Sequence, residues 1–291
     1  MSSIDTPTSP ASQSILITGC SSGIGKHVAL ALHEKGYVVY ATARNSEDVM
    51  ALRSYGLQAC ELDLDSSESI QQAVTWVLEQ TNGHLYALFN NGAYGQPGAV
   101  EDLSRDVLRQ QFETNVFGWH ELTNLVIPIM RKQGYGRIIH NSSVLGLVAM
   151  QYRGAYNASK FALEGLTDTL RQELDGSGVY ISLIEPGPIT SQFRVNAFAK
   201  FKANIKTQSS PHQTIYEQVE KRLASASDKD APFTLGPEAV LQKVEHILTS
   251  KRPKIRYYVT FPTYLFGYLK RLLPARWLDL LLLAISRREN R

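Results

Sequence analysis

The chain has 291 residues, 43% hydrophobic and 20% charged, which excludes a disordered chain and allows a full core. The formal charge of +3 is uneven: residues 251–291 hold ten basic and two acidic side chains, a net of +8, so the rest carries −5. Two cysteines, Cys20 and Cys60, exclude a disulfide framework and a four-ligand zinc site and fit a cytoplasmic protein.

Residues 1–12 (MSSIDTPTSPAS) are expected to be a flexible N-terminus, with neither the basic nor the apolar region of a signal peptide. No charge-free apolar run reaches the ~18 residues of a membrane span. From Ser14 onward, short β-rich runs alternate with amphipathic stretches. The pattern predicts strands over 14–18, 37–42, 58–62, 85–89, 137–140 and 179–184. Helices are predicted over 24–36, 46–54, 66–80, 101–117, 118–133 and 155–174. This alternation implies a doubly wound α/β fold, a parallel Rossmann-type sheet covered on both faces, in one catalytic domain over 13–260. Such sheets bind ligands beyond the C-terminal ends of their strands, so the chemistry is expected just after strands. Residues 191–235 are polar with few anchors and are predicted to be a lid over the substrate. A helix over 237–250 and a last strand over 255–260 precede a basic, apolar C-terminal extension, 261–291.

Thr18-Gly19-Cys20-Ser21-Ser22-Gly23-Ile24-Gly25 joins the first strand to the first helix. Gly19 permits a tight turn, Gly23 close approach of a pyrophosphate, and Gly25 close packing of helix on sheet. The helix N-terminus offers free N–H groups and a positive dipole end to phosphate. After the second strand the chain reads Ala41-Thr42-Ala43-Arg44-Asn45, with no acid before Glu47 to hold a ribose 2′-hydroxyl. Arg44 can pair with a 2′-phosphate, which favours NADP(H) over NAD(H); the alternative is a solvated surface arginine.

Tyr156 and Lys160 are four apart and share one helix face. A nearby ammonium lowers a phenol pKa, and such a pair can move a proton to or from a carbonyl or alcohol oxygen. Ser142-Ser143 follows the fifth strand and can donate to the same oxygen. Asn115 is a polar residue in an apolar helix, and by itself reads as a satisfied buried amide or a helix irregularity.

Taken in order, TGCSSGIG at 18–25, Asp63-Leu64, Asn90-Asn91, Asn115, Ser143, Tyr156 with Lys160, and Pro186-Gly187 resemble the short-chain dehydrogenase/reductase superfamily over residues 13–190. Ser143 lies thirteen residues before Tyr156, a common family spacing, and is preferred to Ser142. The resemblance implies Tyr156 as general acid/base, Lys160 as its pKa modulator and ribose ligand, and Ser143 as the group polarising the substrate oxygen. It also implies that Asn115 holds a water linking Lys160 to bulk solvent. Gly19, Ser21, Ser22, Gly23, Ile24 and Gly25 would hold the pyrophosphate, Asp63 and Leu64 the adenine, and Asn90 the adenosine ribose. Pro186, Gly187, Ile189 and Thr190 would lie along the nicotinamide. One departure is Gly92-Ala93, where the family usually reads Ala-Gly. The segments 161–165 and 182–188 resemble hydroxysteroid and retinol dehydrogenases and bacterial aldehyde reductases, which implies a lipophilic aldehyde, ketone or alcohol substrate and a homo-oligomer, dimer or tetramer.

The seven histidines form no ligand pair at metal spacing, so no catalytic metal is expected. Cys20 is read as a small packed residue beside the cofactor, and Lys200, Lys202 and Lys206 as a solvated lid face. The tail is either a helix packed on the body or on a second subunit, or an interfacial segment with cations toward anionic headgroups. Its charge lies outside the catalytic motifs and mixes with aromatic residues, which points away from nucleic acid. The expected activity is carbonyl–alcohol interconversion with NADP(H); the alternative is a catalytically silent NADP(H)-sensing protein of the same fold. An epimerase or dehydratase is disfavoured by the glycine spacing.

Overall fold

The computed structural model describes residues 13–224 and 232–289; residues 1–12 and 225–231, which include the expected flexible N-terminus and part of the expected lid, lie outside them. Seven strands form one sheet: β1 (Ser14–Ile17), β2 (Val38–Ala43), β3 (Gln58–Glu61), β4 (Ala87–Asn90), β5 (Gly136–Asn141), β6 (Val179–Glu185) and β7 (Arg256–Tyr258). All neighbours pair in parallel, in the order β3-β2-β1-β4-β5-β6-β7. The order reverses between β1 and β4, which opens a crevice at their C-terminal ends. The central strand β1 reads SILI with all four residues buried, the continuous apolar run that a strand covered on both faces needs.

The helices in chain order are α1 (Gly23–Glu34), α2 (Ser46–Ser54), α3 (Ser67–Gln80), α4 (Arg105–Phe112), α5 (Gly118–Gln133) and α6 (Gly154–Glu173). After β6 come α7 (Phe193–Asn204), α8 (Gln213–Ala224), α9 (Glu238–Thr249), α10 (Phe261–Leu272) and α11 (Ala275–Glu289). On one sheet face Val28 and Leu32 of α1, Leu52 of α2 and Val244 of α9 meet Ile15, Ile17 and Val39. On the other, Val74 of α3, Trp119 and Val126 of α5 and Leu163 of α6 meet Leu16, Leu88 and Ile138.

Two regions differ from the sequence expectation, and the tail takes one of its two expected alternatives. The helix expected at 101–117 starts at Arg105, because the Ser104 side chain caps it by accepting from the Val107 N–H at 3.3 Å. It then runs through a π-turn, Glu113–Phe117, into α5 without a break. The described part of residues 191–235, expected as a lid, has anchors that were not expected. Ala197, Phe201 and Ile205 fall at i, i+4 and i+8, and with Tyr216, Val219 and Leu223 they form a small core of their own. The tail folds back on the body: Phe266 of α10 and Leu282 of α11 bury Val148, with Val144 and Met150 packed alongside.

Candidate active site

The C-terminal ends of the strands open on a cleft of about 1180 Å³, walled by the glycine turn, the loop after β5, the start of α6 and the lid. At its floor, Gly19 has φ +70° and Gly23 φ +57°, left-handed values that glycine adopts without strain. A Cβ on Gly25 would strike the Gly19 carbonyl oxygen, so the turn closes only around a hydrogen at that position. The N-cap of α1, Ser22, makes no side-chain cap bond, which leaves the first amides of the helix directed at the cleft. Cys20 beside this turn is fully buried, and burial pushes its thiol pKa up to about 12, so it is a packed residue.

Most of the residues expected from sequence line this cleft: Gly19, Ser21, Ser22, Gly23, Ile24, Arg44, Leu64, Ser143, Tyr156, Lys160, Pro186, Gly187 and Ile189. Five do not. Gly25 acts through packing, as just described. Asp63 turns its carboxylate back to accept from the Asp65 N–H at 3.1 Å. Thr190 spends its N–H on the Leu235 carbonyl at 2.9 Å. Asn90 is fully buried and donates to Thr123 Oγ1 at 3.0 Å, in a polar chain that continues through His140 to Thr167. The cleft wall is formed by its neighbour Asn91, whose side chain donates to the Thr18 and Gly19 carbonyls and accepts from Asn141 at 2.9 Å. Successive side chains at a strand end face opposite sides, so only one of the two asparagines can reach the ligand side.

Asn115, the fifth, sits in the π-turn with no exposure. Its amide accepts from the Tyr94 N–H at 3.2 Å and donates to the Tyr94 carbonyl at 2.9 Å and to Ser159 Oγ at 3.2 Å. Ser159 in turn donates to the Tyr156 carbonyl at 2.8 Å. Asn115 therefore ties the first turn of α6 to the loop after β4, and is both a satisfied amide and part of a helix irregularity.

Ser143 follows β5 and Tyr156 stands in the first turn of α6, and both line the cleft. Burial pushes the phenol well above its ordinary pKa, with Ser143 pulling the other way. Ser142 is committed elsewhere, donating to the buried Glu164 carboxylate, which explains why Ser143 is the serine facing Tyr156. Lys160 Nζ donates to the Asn141 carbonyl at 2.8 Å and lies 4.3 Å from the Trp119 ring centroid and 5.6 Å from that of Tyr156. Burial pulls its pKa down to about 7, against the attraction of Glu164 one turn further on. Burial is the largest cause of the shift in both groups. Behind them Arg256 bridges Glu164, Glu185 and Asp168; burial and the neighbouring Glu164 raise Glu185 to about 8.

Several wall residues were not assigned to the site from sequence. Asp48, in the first turn of α2, shares the Arg44 end. Phe193 of the lid stands edge-on to Tyr156 at 5.2 Å. Lys200, expected on a solvated face, lies 4.7 Å from the Tyr94 ring centroid and lines the cleft, whereas Lys202 pairs with Glu220 on the surface. Glu289, near the end of α11, also reaches the cleft, where it pairs with Arg153 at 2.6 Å and Arg222 at 3.0 Å. These contacts join residues far apart in the chain, and no local spacing announces them.

The family model for short chain dehydrogenases matches residues 13–202. The chain belongs to the short-chain dehydrogenase family. It is 45% identical to the uncharacterized oxidoreductase YbbO of Escherichia coli over 270 residues, 93% of this chain and 94% of that protein. It is 32% identical to human retinol dehydrogenase 8 over 256 residues, covering 84% and 81% of the two chains. A short-chain dehydrogenase/reductase of Burkholderia phymatum, solved in complex with NAD, superposes with a TM-score of 0.74 at 26% identity, covering 91% of this chain and 93% of that one. The dehydrogenase described here is therefore an oxidoreductase built on the family's seven-stranded sheet with C-terminal helices added.

Proposed function

We propose that this dehydrogenase reduces the carbonyl group of a lipophilic aldehyde or ketone with NADPH. The observation that carries the reading is the convergence of Ser143, Tyr156 and Lys160 on one cleft whose other end is the uncapped start of α1. Gly19, Gly23 and the α1 amides fit a pyrophosphate, which needs close backbone approach and free N–H donors. Arg44 is exposed at the end of β2 and forms no ion pair among the described residues, so its guanidinium is available to a 2′-phosphate. When bound, the nicotinamide supplies the hydride.

The chain's own residues supply the proton and the orientation. A phenol held above its usual pKa stays protonated at neutral pH, the form needed to donate to a carbonyl oxygen during reduction. Ser143 donates to the same oxygen and holds it in line with Tyr156. Lys160, with a pKa of about 7, can exchange a proton near neutrality and is held under Tyr156 by the Asn141 carbonyl. Val144, Leu145, Met150, Phe193, Ala197 and Leu223 give the substrate end an apolar wall that suits a long or cyclic hydrocarbon. The relative named for retinol agrees with such a substrate class.

The test is NADPH oxidation followed against aliphatic aldehydes, retinal-like aldehydes and steroid ketones, with NADH in parallel. Turnover that rises with the apolar size of the carbonyl compound and prefers NADPH is expected. Activity only on small hydrophilic carbonyls, or only with NADH, would overturn the reading.

A further inference from the structure

The hairpin of α10 and α11 has two unlike faces. Its inner face closes on Val148 through Phe266 and Leu282, beside Val144 and Met150, which also line the cleft. Its outer face carries Tyr264, Tyr268 and Leu272 in one stripe of α10 and Trp277 and Leu280 in one stripe of α11. These side chains are exposed to a degree unusual for their size: 60% for Tyr268, 76% for Leu272 and 66% for Trp277. Cations flank them. Arg271 lies one turn from Tyr268 on the same face, Arg276 precedes Trp277, and Arg287 and Arg288 close α11, all exposed. Asp279 is the one exposed acid between residues 261 and 288.

We infer that this outer face docks on an anionic lipid surface, with Tyr268, Leu272, Trp277 and Leu280 at the acyl boundary and the arginines toward the headgroups. The charge selects the occupant. A second copy using the same patch would bring together two patches of the same sign, each bordered by these arginines with Asp279 as its one exposed acid between residues 261 and 288. A bilayer rich in anionic lipid accepts both the apolar stripe and its cationic border. No helix among the described residues is long and apolar enough to cross a membrane, so the contact is peripheral. Because the inner face of the same hairpin packs against Val144 and Met150 of the cleft wall, docking places the substrate end close to a reservoir of lipophilic carbonyl compounds.

The experiment is flotation of the full chain with vesicles of phosphatidylglycerol and phosphatidylcholine, compared with phosphatidylcholine alone, with sedimentation velocity of the lipid-free protein alongside. Co-flotation with anionic vesicles only, weakened by salt, is expected. Leu272→Ser with Trp277→Ser should reduce partitioning at least tenfold, and so should Arg271→Glu with Arg276→Glu. These side chains are exposed, so neither pair disturbs the inner packing. Absence of flotation, or flotation unchanged in both double variants, would overturn the inference. So would lipid-free self-association that Leu272→Ser with Trp277→Ser abolishes, since the face would then belong to a second copy. Flotation is read without turnover, so its outcome is separable from that of the proposed activity.

Discussion

Lys160 offers a perturbation whose size can be worked out. Its side chain is 1% exposed, and burial moves its pKa from 10.5 to about 7. At ~1.4 kcal/mol per unit, holding the ammonium in place costs the folded state about 5 kcal/mol. The folded pKa lies below the unfolded one. Between pH 7 and 10.5 the unfolded chain therefore binds the extra proton, and stability rises with pH by as much as ~1.4 kcal/mol per unit. Lys160→Met keeps an unbranched stem against Trp119 and removes the titration. At any single pH the variant also loses the bond to the Asn141 carbonyl, so the informative quantity is the difference between the two proteins as pH changes. Urea unfolding of both proteins at intervals from pH 7 to 10 should show the parent gaining about 3–4 kcal/mol on the variant across that range. Other groups titrating there cancel in the difference. A difference that stays flat would show that the Lys160 pKa is not depressed, and would remove the proton exchange assigned to it near neutrality.

Two further outcomes follow from the cofactor end of the cleft. Gly25→Ala places a methyl group against the Gly19 carbonyl and 2.6 Å from Asn91 Nδ2, so the turn must shift. A loss of about 1–3 kcal/mol is expected, read as a fall in Tm on the order of 5 °C, together with loss of dinucleotide binding by calorimetry; an unchanged melt would contradict the packing described for α1. Arg44→Ala leaves Asp48 as the charged group nearest that end of the wall and should weaken NADPH at least tenfold while leaving NADH within about twofold, measured by fluorescence titration. An equal ratio of the two affinities in parent and variant would remove Arg44 from the 2′-phosphate.

The sheet was legible because its central strands are short runs of Ile, Leu, Val and Phe and its helices keep apolar residues at i and i+4, so each element stated its own period. Ser143, Tyr156 and Lys160 were legible for a related reason: two are one turn apart on α6, and the third directly follows a strand at the ligand edge. Asn90 misled because a pair of asparagines carries no sign of which one faces the sheet interior; the register of β4 decides it, and Asn91 takes the wall. The lid misled because its lysines mask an i, i+4 spacing of Ala197, Phe201 and Ile205, whose partners on α8 lie beyond the range of any local pattern. Glu289 was invisible for the same reason, since its partners Arg153 and Arg222 lie 136 and 67 residues away in sequence. The raised phenol pKa could not be read from a Tyr-x-x-x-Lys spacing, because it depends on how deeply both groups are buried.

The central claim is that Tyr156 passes the proton, and Tyr156→Phe tests it most directly. The substitution removes one hydroxyl and keeps the ring that stands edge-on to Phe193. Single-turnover NADPH oxidation with a lipophilic aldehyde should slow by at least a hundredfold, on the order expected for loss of a general acid, while NADPH affinity stays within about threefold of the parent. Turnover within a few-fold of the parent would contradict the assignment of Tyr156 and with it the proposed chemistry of the cleft.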